Sequence, residues 1–177
     1  MRRQFPRRIS MHALRIITVV LFLGACRAAE APVDEVARSD AESSAARPEI
    51  EVATATFYKW LNAGALDSAA TGVTEDYVWL PPNAPADSGR ANWVRVNTAM
   101  LASGKFAGAV TIDAVVASGP IAVARGRYVS TFTPGPGAPK GAKTVADTGK
   151  VHWQLRKLDG RWLLSVASWN SDLPVGR

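Results

Sequence analysis

An α+β fold, with helices leading into an antiparallel sheet, is predicted by three observations. Apolar residues recur at helical spacing from Ile50 to Gly64, and four strand-like runs fill the chain between Val110 and Trp169. Tight hairpin signals, Ser118-Gly119 and Asp159-Gly160, separate two pairs of those runs. Helices grouped before strands, rather than alternating with them, place the domain in the α+β class.

Each element has its own signal. Ile50, Ala53, Phe57, Trp60, Leu61 and Gly64 mark one face of an amphipathic helix that starts just after Pro48. A helical turn follows near Leu66 to Ala70. Tyr77-Val78-Trp79-Leu80 reads as a strand stopped by Pro81-Pro82. The loop from Pro81 to Gly89 leads into a helix over Arg90 to Ala102, with Ser88 as its expected cap. Strands are expected over Val110 to Ala117, Ile121 to Thr133, Thr148 to Leu158 and Trp162 to Trp169, and the stretch TPGPGAPKGAK links the middle pair.

Asp159-Gly160 as a two-residue turn sets a register for the last hairpin. Leu155 then faces Leu164, Trp153 faces Val166, Val151 faces Ser168 and Gly149 faces Asn170. On that reading Trp153 points to the core or a pocket, and Asn170 lies at the polar end of the same face. His152, the one histidine beyond the leader, points to the opposite face.

The N-terminus carries an address. Arg2, Arg3, Arg7, Arg8 and Arg15 precede the uncharged run Ile16 to Leu23, a basic region and an apolar core of signal-peptide length. The run is too short to span a bilayer as a permanent helix. Leu23-Gly24-Ala25-Cys26 resembles a bacterial lipobox, so the single cysteine of the chain is expected to carry a lipid and become the mature N-terminus. The expected location is the bacterial cell envelope, lipid-anchored on the periplasmic or extracytoplasmic side. Arg2-Arg3 with Phe5 also resembles a twin-arginine export signal, and Met1 and Met11 are both compatible starts.

Removing that leader changes the charge argument. The chain has 21 Lys and Arg against 15 Asp and Glu, a net of +6. Five of the arginines precede Cys26, which leaves 16 against 15, a net of +1. No basic run remains to track phosphates, so no nucleic-acid partner is expected. With one cysteine and no Cys/His cluster, no metal and no cofactor is expected either. Residues 27 to 49 are rich in Ala and Ser, carry six acidic side chains and lack aromatics, and read as an unstructured tether about 25 Å in span. The expected organisation is a signal peptide over 1–25, a lipidated Cys26 and tether over 26–49, and one domain over 50–177.

Three pieces of the domain carry a resemblance: FYKWLNAGALDSAATGVTEDYVWLPPN, then SGR opening a helix, then DTGKVHWQLRKLDGRWLLSVASWNSD. Together they resemble the SnoaL-like branch of the nuclear-transport-factor-2-like superfamily over nearly all of residues 50 to 173. The resemblance implies a cone, a strongly curved antiparallel sheet wrapped around about three helices, with a pocket at its open end. It also implies a homodimer through the outer face of the sheet. The turn that usually reads Gly-Asp carries Ala65 here.

Related ketosteroid isomerases use a first-helix tyrosine as an oxyanion donor and an aspartate at the end of the first strand as the proton-transferring base. Ungapped comparison puts Phe57 and Pro81 at these places. Neither can play the role: Phe57 has no donor and Pro81 has no ionisable group. No catalytic residue is therefore assigned. Asp113 is the one carboxylate inside a strand, with the outer and the pocket face both compatible with the sequence. Tyr77 and Tyr128 carry hydroxyls, but buried tyrosines commonly pair with a backbone partner.

Six tryptophans suggest aromatic walls. Trp79 shares strand parity with Pro81 and so with the pocket side. Phe57, Trp79, Trp153 and Asn170 are the expected ligand-binding residues. Two function classes follow: a membrane-tethered, non-catalytic module for a small apolar ligand or a protein partner, or a SnoaL-type isomerase, cyclase or hydrolase using a pocket acid without a recognised motif.

Overall fold

The computed structural model describes residues 32–174; Cys26 and the leader lie outside them. Three helices come first or early: α1 (Pro32–Asn62), α2 (Leu66–Ala70) and, after two strands, α3 (Arg90–Ser103). The strands are β1 (Val73–Leu80), β2 (Asp87–Ser88), β3 (Gly104–Ser118), β4 (Ile121–Pro134), β5 (Val145–Leu158) and β6 (Arg161–Ser171). They form one curved open sheet in the order β2-β1-β6-β5-β4-β3. The α+β class is as expected.

Three differences from the sequence reading have physical causes. The sheet is mixed, because β1 runs parallel to β6 while every other pair is antiparallel. Pairing between strands that far apart leaves no local signal. The cap of α3 is Gly89 rather than Ser88; Asn92 instead ties Asp87 and Ser88 together by hydrogen bonds of 2.5 and 3.3 Å.

The third difference concerns the expected tether. From Pro32 to Glu49 the backbone is helical and continuous with the predicted helix. Pro32 stands in the first turn, where a missing N–H is harmless, but Pro48 sits mid-helix and removes one intrahelical hydrogen bond. Tertiary contacts offset that loss. β3 is an edge strand, and α1 satisfies its unpaired backbone with side chains. Ser43 Oγ accepts from the Ala117 N–H at 2.9 Å and Glu42 from the Gly119 N–H at 2.8 Å. Arg47 donates to the Ile112 carbonyl at 3.0 Å, and Asn62 exchanges two 2.8 Å bonds with Gly108. Ala46 and Ile50 are buried between these polar clasps. A helix face made of serine, alanine and arginine has no large-apolar stripe, which is why composition reads it as unstructured.

Curvature comes from irregularities in long strands. β3 carries a bulge between Ile112 and Ala114, and Gly126 lies opposite it, where an added Cβ would come within 2.1 Å of the Thr111 carbonyl oxygen. The Asp159-Gly160 turn is the two-residue kind, with φ of 50° and 75° at its two positions. Leu155 pairs with Leu164 as predicted, but a bulge at Ser165 then shifts the register by one.

Candidate functional site

A cavity of about 210 Å³ lies between α1, α3 and the sheet. Phe57, Tyr58 and Leu61 face it from α1, and Trp93, Asn97 and Met100 from α3. Phe106 on β3 and Tyr128 and Ser130 on β4 continue the wall. Val151, Trp153, Ala167 and Trp169 complete it from β5 and β6. Helical spacing accounts for the α1 and α3 sets, and strand alternation for the 128/130, 151/153 and 167/169 pairs.

The rings are arranged in contact. Tyr58 stacks on Trp153, centroids 6.2 Å apart and planes 20° apart. Phe57 meets Tyr58 edge-on at 5.5 Å and leans on Trp93 at the same distance. Asn97 donates to the Trp93 carbonyl at 2.8 Å, so its amide serves the helix.

One polar network borders this wall. Tyr128 donates its hydroxyl to Asp147 Oδ2 at 2.6 Å, while Ser171 Oγ at 2.5 Å and the Thr148 N–H at 2.9 Å donate to Asp147 Oδ1. Burial acts to raise the Asp147 carboxyl, but the three donors outweigh it and hold it below the usual carboxylate range. Burial, reinforced by the bond to Asp147, pushes the Tyr128 hydroxyl above the usual tyrosine range. Burial does the same to Tyr58. At neutral pH the site thus holds two protonated tyrosines and an ionised aspartate.

The expected site residues divide. Phe57 and Trp153 both line the cavity, and Trp153 is only 3% exposed. Trp79 is buried but stacks on Tyr77 at 5.9 Å, away from the cavity wall. Asn170 is exposed and pairs with Lys150 on the outer side. The cause is the Ser165 bulge, which places Ala167, Trp169 and Ser171 inward where the unbroken register has Val166, Ser168 and Asn170. Tyr58 and the Asp147–Ser171 pair were missed by sequence reasoning, and Trp169 was counted among the tryptophans without being assigned to the site; the DTG and WNSD stretches were the visible trace of Asp147, Trp169 and Ser171.

His152 is exposed on the outer face, as expected. Asp113 also lies outside, in a 3.0 Å ion pair with Arg127. Pro81 follows β1 and is not part of the cavity wall. No carboxylate, imidazole or cationic side chain lines the cavity among the described residues. Among them too, no group of three His, Cys, Asp or Glu is placed to hold a metal, and no helix is long and apolar enough to cross a membrane.

A second, larger depression of about 540 Å³ lies on the other side of α1, lined by Val52, Trp60, Arg161 and Trp162 and sharing Phe57 with the cavity. Its acid is already engaged: Glu49 accepts from Lys157 at 2.6 Å and from the Trp162 indole at 3.0 Å. The inner cavity, more apolar and framed by rigid elements, is the better ligand site.

A curved sheet closed by helices, with an aromatic cavity inside, defines the nuclear-transport-factor-2-like class. The chain belongs to the SnoaL-like domain family, which matches residues 54–164. Among solved structures it is similar to a ketosteroid isomerase-like protein from Erwinia carotovora atroseptica, at 22% identity and a TM-score of 0.61 over 72% of this chain and 96% of that one. It is also similar to a proposed dehydratase of the NTF2-like family from Streptomyces avermitilis, at 15% identity and a TM-score of 0.63 over 75% and 99%. A protein of unknown function with a cystatin-like fold from Nostoc punctiforme aligns at 14% identity with a TM-score of 0.58 over 73% and 93%. At these identities the likeness shows the fold alone. No curated protein matches the chain. The N-terminal part of α1 precedes the family match.

Proposed function

We propose that this is a ligand-binding SnoaL-like domain that holds a small, largely apolar molecule in the inner cavity without transforming it. The observation that carries this reading is the cavity wall itself: seven aromatic rings and no side chain able to exchange a proton near neutral pH. Phe57, which the ungapped sequence comparison sets at the isomerases' donor position, stands in that wall, and Pro81 is outside it. The lipobox around Cys26 supports a domain held at the surface of a bacterial envelope membrane by a lipid anchor. The 22 residues of α1 ahead of the family match, 32–53, then join anchor to cone as a helix packed on β3.

A second reading, a SnoaL-type isomerase, cyclase or hydrolase, has in its favour two structural neighbours, one ketosteroid isomerase-like and one a proposed dehydratase. One molecule separates the two. 2-Tetralone, a neutral bicyclic ketone, should quench the tryptophan fluorescence of the full chain saturably, while deuterium exchange at its α-carbons stays at the buffer rate. Catalysed exchange would favour the enzyme reading, and absence of binding by neutral and charged aromatics alike would remove the binding reading.

A further inference from the structure

We propose that the inner cavity selects an organic cation, a hydrophobic ammonium or similarly delocalised monocation, over a neutral or anionic molecule of the same shape. This rests on the reading of the cavity as a ligand site and narrows its ligand class.

The rings come first. Phe57, Tyr58, Trp93, Tyr128, Trp153 and Trp169 face the cavity from α1, α3 and three strands. Aromatic faces carry the negative part of the ring quadrupole, and a cation enclosed by several of them is attracted most where water is excluded. No lysine, arginine or histidine lines the wall among the described residues to oppose that potential.

Asp147 supplies the charge. Its carboxylate sits 2.6 Å from the Tyr128 hydroxyl and forms no ion pair among the described residues; the nearby Lys150 pairs with Asp172 instead. Tyr128, Ser171 and Thr148 supply three hydrogen bonds, and none of them supplies a positive charge. Because Tyr128 donates its proton outward to Asp147, its oxygen and ring present electron density to the cavity. A half-buried carboxylate beside an apolar space is screened far less than one in bulk water. The net field in the cavity is therefore negative.

Binding of benzyltrimethylammonium, of its neutral isostere neopentylbenzene and of the anion phenylmethanesulfonate to the full chain tests this. A plain apolar cavity prefers the neutral molecule strongly, since desolvating a charge is costly. The expected order is the cation tighter than the isostere, with the anion weakest. Asp147→Asn should weaken the cation roughly tenfold and leave the isostere unchanged. A neutral isostere that binds as tightly as the cation or tighter, or a cation indifferent to Asp147→Asn, would overturn the charge selection and leave the ligand site standing. If none of the three binds and 2-tetralone does not either, both readings fall. The wild-type comparison alone decides the matter if Asp147→Asn does not fold.

Discussion

Tyr58 of α1 lies nearly parallel to Trp153 of β5, ring centroids 6.2 Å apart, and this stack ties the helix to the centre of the sheet. Trp153 is 3% exposed and borders a cavity that its removal would enlarge. Trp153→Ala should cost about 3–5 kcal/mol in chemical denaturation. A cost below about 1 kcal/mol would show that the ring is not part of the packed wall.

The first half of α1 is held by polar clasps, so it should respond to small polar changes. Ser43→Ala leaves the buried Ala117 N–H without its 2.9 Å acceptor and should destabilise the domain by about 1 kcal/mol. Removing residues up to 46 takes away the Glu42 bond to Gly119 as well and should lower the denaturation midpoint further. A truncated chain with an unchanged midpoint would show that this half of the helix is not clamped to β3.

The Asp147 network makes an acid-side prediction. A carboxyl held below its unfolded value of about 3.9 contributes stability that is present above that pH and is lost as pH falls through its lower folded value. Wild-type chain should therefore lose its advantage over Asp147→Asn between about pH 4 and the more acidic folded value. Urea midpoints of the two proteins across that range would show it. A gap that stays constant with pH would mean the donors from Tyr128, Ser171 and Thr148 do not favour the charged form.

Anchoring can be tested without the cone. Wild-type chain expressed in a bacterium should incorporate labelled palmitate and partition into detergent, and Cys26→Ala should do neither. Labelling that survives Cys26→Ala would break the lipobox reading.

The local parts of this molecule were legible, and the non-local parts were not. The helix expected after the Pro81–Gly89 loop matches α3 to within a residue, the Asp159-Gly160 turn was read with its correct length, and Leu155 met Leu164 as expected. The register beyond that point failed because one inserted residue, Ser165, exchanges the two faces of β6 without changing its composition. That insertion moved Asn170 out and Trp169 in. Trp79 was misplaced because parity with Pro81 says which face of β1 it occupies, not whether the cavity extends there. The clasped half of α1 was hidden because its contacts are made by Glu42, Ser43, Ala46 and Arg47, residues equally at home in a tether.

The central claim, that ligand sits inside the cone rather than in the outer depression, is tested most directly by the six indole N–H signals in solution NMR. On titration with 2-tetralone, the signals of Trp93, Trp153 and Trp169 should shift together, since all three line the inner cavity. Those of Trp60 and Trp162, which line the outer depression, should stay in place. Movement of Trp60 and Trp162 with the inner three unchanged would contradict the account.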